Sequence, residues 1–171
     1  MKSDDTKAED LIAELGFLCL GSRFRRLGER LQTGVSELAG LEGITLQPAQ
    51  FPIIVALEHG PMTVGALARR LDLSQPGITR GIGKLLAEEL IEPVLNDGDQ
   101  RLRAFALSEA GRTLLSRVQL HVFPLVQRAV ADLCEGPPDD LLGHLARLDQ
   151  ALERSPFEQR LRAMRNQGSG A

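Results

Sequence analysis

The stretch TVGALARRLDLSQPGITRGIGKLLAEELIEPVLNDGDQRLRAFAL, residues 63 to 107, constrains this chain more than any other. It reads as two short helices, a tight turn, and then two strands joined by a polar loop. Thr63 starts the first helix, with Leu67, Ala68 and Leu71 facing inward. Ser74 caps the second, and Pro76 is allowed in its first turn because an amide there has no helical partner to lose. Ile78, Ile82, Leu85 and Leu86 form its core stripe, which leaves Gln75, Thr79, Arg80 and Lys84 on the outer face. Leu90 to Leu95 and Arg101 to Leu107 read as strands, with Asn96-Asp97-Gly98-Asp99 as the turn between them. In the second strand Arg101, Arg103, Phe105 and Leu107 alternate with Leu102, Ala104 and Ala106. This order of elements is a helix-turn-helix with a wing, and it points to a DNA major groove rather than a catalytic cleft.

The rest of the chain reads as helix, giving a mainly α fold with a small β-wing. Residues 8 to 33 suggest one long helix. Leu11, Leu15, Leu18 and Ser22 lie along one line, and Leu20, Phe24, Leu27 and Leu31 form a second apolar line. Two apolar lines suit a helix buried on two sides, by its own domain and by a partner chain. Gly34, Gly40 and Gly43 then read as a looser connection. Thr45 is a cap for the next helix, where Phe51, Ile54, Val55 and Leu57 face the core, Pro52 is awkward, and His59-Gly60-Pro61 ends the run. Ser108 caps a long helix to about Leu133, bent or interrupted near Pro124. Pro137-Pro138-Asp139 opens another, with Leu141, Leu145, Leu148 and Leu152 on one face. Ser155-Pro156-Phe157-Glu158 reads as a capping box, and Phe157, Leu161 and Met164 as the apolar side of a short tail helix.

With 171 residues, 43% hydrophobic and 25% charged, the chain suits one globular domain with helical arms. No apolar run approaches the roughly 18 residues of a membrane span. The acidic, polar start MKSDDTKAED is unlike a signal peptide, and the cytoplasm is the compartment expected. Cys19 and Cys134 stand far apart, without CxxC or His-Cys spacing, so neither a disulfide framework nor a zinc site is expected. His59, His121 and His144 share no spacing with acids or cysteines. No metal or cofactor is implied, and no phosphate loop, nucleophile elbow or carboxylate pair marks an enzyme.

A net charge of −3 does not advertise nucleic-acid binding, but contact with DNA needs a local basic surface and not a basic average. Between residues 60 and 107 six basic residues (Arg69, Arg70, Arg80, Lys84, Arg101, Arg103) balance six acids (Asp72, Glu88, Glu89, Glu92, Asp97, Asp99), so placement must make any positive face. On the outer face, Gln75 suits adenine edges, Arg80 guanine or phosphate, and Thr79 a thymine methyl. Lys84, a turn further on, suits phosphate. The alternative for these four is a solvated polar face.

Several short motifs, in order, carry a family resemblance. They are Gln50-Phe51, Leu67-Ala68-Arg69-Arg70-Leu71, Leu73-Ser74-Gln75, Ile78-Thr79-Arg80, Leu90-Ile91, Asp99-Gln100-Arg101 and Leu107-Ser108-Glu109-Ala110-Gly111. Over roughly residues 10 to 152 the chain resembles the MarR family of bacterial winged helix-turn-helix transcription regulators. The resemblance implies a homodimer whose N- and C-terminal helices interlock. Its two winged lobes would grip a pseudo-palindromic operator in double-stranded DNA, most often as a repressor. The corresponding division is an N-terminal dimerisation helix (8–40), a winged lobe (45–107), C-terminal dimerisation helices (108–154) and a tail (155–171). The implied DNA-contact set is Ser74, Gln75, Thr79, Arg80 and Lys84, with Asp99, Arg101 and Arg103 from the wing. There the Asp would steady an Arg in or near the minor groove, where negative potential is concentrated. An exposed ion pair is the alternative for the wing residues.

Some positions depart from the family pattern. Glu89 stands where the family commonly has Gly, and Pro93-Val94 where it often has Arg. Gly81 and Gly83 inside the recognition helix each cost about 1 kcal/mol relative to Ala. The family often binds small aromatic anions between lobe and dimerisation helices, which makes Arg23, Arg26, Phe17 and Phe51 the effector-binding set. Solvated or interdomain ion-pair roles for the arginines, and core packing for both phenylalanines, are the alternatives. One branch senses peroxide through a Cys in Leu-Cys-Phe, held by Tyr hydroxyls. Here the segment is Leu15-Gly16-Phe17 and there is no Tyr, so Cys19 reads as a small buried apolar residue. The rival functions are a winged-helix protein-interaction module without DNA binding, and a cysteine-based redox regulator.

Overall fold

The computed structural model describes residues 10–94, 104–134 and 138–168. Asp10 caps a single helical turn, α1 (Leu11–Glu14), its carboxylate accepting the Ala13 amide. Gly16 then takes φ +53°, a left-handed conformation that no residue inside a right-handed helix can adopt. A 3₁₀ turn (Gly16–Cys19) follows, and α2 (Leu20–Leu41) begins after it. The single helix expected over residues 8 to 33 is thus broken at Gly16. It also runs further than expected, because Gly34 and Gly40 stay helical. The end comes at Gly43, with φ +65°. There the Gly43 amide donates to the Gly40 carbonyl and the Ile44 amide to that of Ala39, the paired bonds of a Schellman cap.

Thr45 does not cap the next helix. Gln47 does, in a reciprocal box with Gln50 that opens a 3₁₀ turn (Pro48–Gln50) and then α3 (Phe51–Ala56). Pro52 falls in the first turn of α3, where its missing N–H forfeits no helical bond. Gly60, at φ +139°, turns the chain into β1 (Met62–Thr63), a strand the sequence did not announce. Thr63 also caps α4 (Val64–Leu71), and Ser74 caps α5 (Gln75–Ala87). β2 (Ile91–Val94) and β3 (Ala104–Leu107) fall within the two strands expected; Leu95, the turn residues Asn96 to Asp99, and Arg101 to Arg103 lie outside the described ones. The sheet is antiparallel with order β1-β3-β2, pairing Met62 with Phe105 and Ile91 with Leu107. Ser108 caps α6 (Glu109–His121); α7 (Phe123–Leu133) follows an interruption at Val122, two residues before Pro124.

The described residues form two units, up to Pro124 and from Leu125 on. In the first, Ile53, Ile54, Leu67, Ile78, Leu85, Val118 and Val122 make the buried centre. Phe51 joins them, its ring edge-on to Phe123 at 6.2 Å. By contrast α2 buries Ala39 alone, and Phe24, Leu27 and Leu31 stay 42–45% exposed. The second unit holds the rest of α7, α8 (Pro138–Arg154) and α9 (Phe157–Gly168). The Arg160 guanidinium closes the end of α8 by donating to the carbonyls of Ala151 (2.7 Å) and Ser155 (3.0 Å). In α9 the first bonded amides, Gln159 and Arg160, both reach the Pro156 carbonyl. Pro156 therefore precedes the helix, which starts at Phe157. Phe157, Leu161 and Met164 are exposed.

Candidate nucleic-acid interface

α5 is anchored by its own sequence at one end and by packing along one side. The Ser74 Oγ accepts the Gly77 amide (3.3 Å), and Pro76 sits in the first turn. Ile78, Ile82 and Leu85 are buried, and the helix packs on α3, α4 and β2. Gly81 faces α3 so closely that a Cβ there would overlap Ile53 Cδ1. That glycine, read from sequence as a cost to the helix, is what lets α5 approach α3. Gly83, on the other side, meets nothing within 4 Å.

The opposite side carries Gln75, Thr79, Arg80 and Lys84, all exposed. Their common placement follows from burying 78, 82 and 85 on a 3.6-residue period. The Thr79 hydroxyl donates to the Gln75 carbonyl (2.9 Å), so its polar group is used within the helix. Gln75, Arg80 and Lys84 make no side-chain hydrogen bond or ion pair with another described residue. Ser74 is exposed at the start of this face, but its hydroxyl is engaged as the cap. Arg69 and Arg70, exposed in the last turn of α4, add two cations that the sequence reading did not place among the DNA contacts. The acids Glu88, Glu89 and Glu92 come after the end of α5. Asp99, Arg101 and Arg103 lie outside the described residues.

Glu89 has φ +57°. This is the position that commonly holds Gly in the family pattern, and it is left-handed here with an L side chain. Asp72, at φ 50°, ends α4 the same way.

Each residue of the effector set has its own setting. Phe51 is buried in the core, as the alternative reading had it. Phe17 is 94% exposed, against the core packing considered for it, because it stands in the 3₁₀ turn that Gly16 begins. Arg23 is exposed on α2. Arg26 is held in a two-bond pair by the Asp10 carboxylate, at 2.6 and 2.8 Å. That pairing lowers the Asp10 pKa from 3.8 to about 2, mainly through the Arg26 hydrogen bond, and raises that of Arg26. Cys19 is half-buried in the same 3₁₀ turn, less enclosed than expected. Cys134, also half-buried, lines an apolar cleft of about 440 Å³ with Val126, Val130, Leu141 and Leu142. Among the described residues no group of three or more His, Cys, Asp or Glu is placed to hold a metal ion, and no helix is long and apolar enough to cross a membrane.

The model of the MarR family matches residues 43–102, the segment from the end of α2 into the wing. The resemblance read from the motifs is borne out there. No curated protein matches the chain in sequence. Solved structures agree in fold. A serine-for-cysteine mutant of MarR from E. coli, complexed with operator DNA, is 17% identical with a TM-score of 0.68, over 84% of this chain and 99% of that one. A probable transcriptional regulator from Pseudomonas aeruginosa is 26% identical with a TM-score of 0.65, over 75% and 95%. The M. tuberculosis regulator MOSR, in complex with DNA, is 20% identical with a TM-score of 0.65, over 81% and 99%. The mainly helical chain with its small antiparallel sheet is therefore a winged helix-turn-helix of this kind.

Proposed function

We propose that the chain is a sequence-specific DNA-binding regulator of transcription, with α5 as the helix that enters the major groove. The observation that carries this reading is the two-sided character of α5. Its apolar side is buried, while Gln75, Arg80 and Lys84 stand exposed with no side-chain partner among the described residues. A cation and an amide without local partners can pair with base edges and phosphates at no cost to existing bonds. The relatives solved with DNA support the same reading. In this account Gln75, Thr79 and Arg80 read bases, Lys84 and the helix start at Ser74 hold phosphate, and Asp99, Arg101 and Arg103 serve the wing.

The active form is a homodimer. Support comes from the large side chains left exposed on the N-terminal elements, among them Phe17, Leu18, Phe24, Leu27 and Leu31. Apolar exposure on that scale marks a surface awaiting a partner. Two copies would set two α5 helices into successive major grooves of a pseudo-palindromic operator. The regulator acts as a repressor, released by a small effector such as an aromatic acid. Release requires that the effector bind the non-operator conformation more tightly.

The test is a titration on DNA from the chain's own promoter region at rising salt. A DNA binder loses affinity steeply, because each neutralised phosphate returns counterions to solution. Absence of binding at low salt, or affinity independent of salt, would rule this function out.

A further inference from the structure

Ser108 makes more bonds than a helix cap needs. Its hydroxyl accepts the Gly111 amide (3.0 Å), the ordinary N-cap bond of α6. The same hydroxyl donates to the Glu89 carbonyl (2.7 Å), 19 residues back in the chain. Its amide donates to the Leu90 carbonyl (3.1 Å), and its carbonyl accepts the Arg112 amide, the first bond of α6. One residue thus joins the residues that close α5 to the first turn of α6.

The Glu89 side of this joint is conformationally costly. An L residue at φ +57° persists only where its surroundings over-determine it. Here the Glu89 amide donates to Leu86 and the Leu90 amide to Leu85, and the Ser108 hydroxyl holds the Glu89 carbonyl between them. Gly111 closes the joint from the α6 side, since a Cβ there would overlap the Leu90 carbonyl oxygen. α6 also grips the ends of two other helices. The Arg117 guanidinium donates to the Glu42 carbonyl at the end of α2 (2.7 Å), and the Gln119 amide to the Glu58 carboxylate just past α3 (3.0 and 3.1 Å).

We propose that Ser108 is a positioning residue for DNA recognition: its hydroxyl bond to the Glu89 carbonyl fixes the direction in which α5 projects from the frame of α6 and the sheet. This rests on α5 being the recognition helix. The bond matters for specificity more than for attachment. Phosphate contacts by long flexible side chains absorb a small rotation of the helix, whereas base-edge hydrogen bonds weaken steeply as their angles open.

Three full-length variants test it. Ser108→Ala removes the long-range bond together with the cap. Ser108→Thr keeps both. Thr63→Ala removes a comparable cap, in which Thr63 Oγ1 accepts the Ala66 amide, at another helix. In the free protein, hydrogen exchange at the Glu89 and Leu90 amides accelerates about tenfold in Ser108→Ala relative to Thr63→Ala, a local opening and not a global one. On promoter DNA located by wild-type footprinting, Ser108→Ala raises the operator Kd about tenfold, the effect of one spoiled base contact. Its Kd for a scrambled duplex stays within about twofold, since phosphate contacts dominate there. Ser108→Thr behaves as wild type in both measurements. The proposal is overturned if Ser108→Ala matches Thr63→Ala in both, if operator and scrambled affinities fall together, or if Ser108→Thr does not rescue. A wild-type protein that binds no duplex sinks the DNA reading and the recognition role with it; the exchange measurement then still decides whether Ser108 holds the end of α5.

Discussion

Gly81 on α5 lies against Ile53 on α3 with no room for a methyl group between them. Ile53 is itself 1% exposed, so its Cδ1 has little space into which to retreat. Helix propensity and packing therefore oppose each other at this position, and packing decides. Gly81→Ala gains about 1 kcal/mol of propensity and meets an overpacking cost of about 2 kcal/mol. The net expectation is a loss of about 1 kcal/mol, read as a lower urea midpoint. Gly83→Ala, two residues on and facing open space, gains the propensity alone and raises the midpoint by a stability of about 0.8 kcal/mol. Equal effects of the two substitutions would contradict the close approach of α3 and α5.

Glu89→Gly should stabilise the fold. The left-handed conformation at φ +57° costs an L residue about 1–2 kcal/mol that glycine avoids. Glycine gives back part of this through greater freedom in the unfolded chain, about 0.4–1 kcal/mol. A net gain near 0.5–1 kcal/mol is expected from these two effects, measured as a rise in midpoint with unchanged m-value. A loss of stability would mean that Glu89 contributes something beyond its backbone conformation.

These two glycine-related positions show what was legible in the sequence and what was not. The caps at Thr63, Ser74 and Ser108 were legible because a hydroxyl and an amide three residues on form a local device. The exposed face of α5 followed from the period of Ile78, Ile82 and Leu85. The limits of α2 did not follow. Gly34, Gly40 and Gly43 look alike in sequence, and only the third becomes left-handed, where bonds to Gly40 and Ala39 can close the helix. The break at Gly16 is likewise a backbone event with no apolar pattern to announce it. β1 was invisible because two residues, Met62 and Thr63, count as a strand only through pairing with β3, more than forty residues later. The settings of Phe51 and Arg26 were hidden for a related reason: each has a partner, Phe123 and Asp10, that spacing could not identify.

The Asp10–Arg26 pair gives a pH signature. Asp10 has its folded-state pKa lowered to about 2 from 3.8, so the pair's contribution is present above pH 3.8 and lost as pH falls towards 2. Carboxyl NMR titration of the folded chain should place the Asp10 midpoint near 2, and Arg26→Gln should return it towards 3.8. A midpoint near 3.8 in the unsubstituted chain would show that the pair does not form in solution.

Homodimerisation predicts that Phe17 and Leu18, 94% and 86% exposed in the single chain, are covered in solution. Sedimentation equilibrium should give twice the chain mass. Leu18→Arg should weaken the dimer about thirtyfold, the scale of one buried anchor worth about 2 kcal/mol. A monomer at micromolar concentration, or a dimer indifferent to Leu18→Arg, would remove these residues from the interface.

If the exposed side of α5 reads DNA, hydroxyl-radical footprinting on the chain's own promoter region will show it. Two protected segments with centres about 10 base pairs apart are expected, one for each copy of α5. Arg80→Ala should weaken protection of both about tenfold and relax the base preference at one position in each half-site, and Lys84→Ala should weaken binding to all sequences alike. A promoter without protected segments at low salt, or protection that survives Arg80→Ala and Gln75→Ala together unchanged, would mean that α5 does not read DNA.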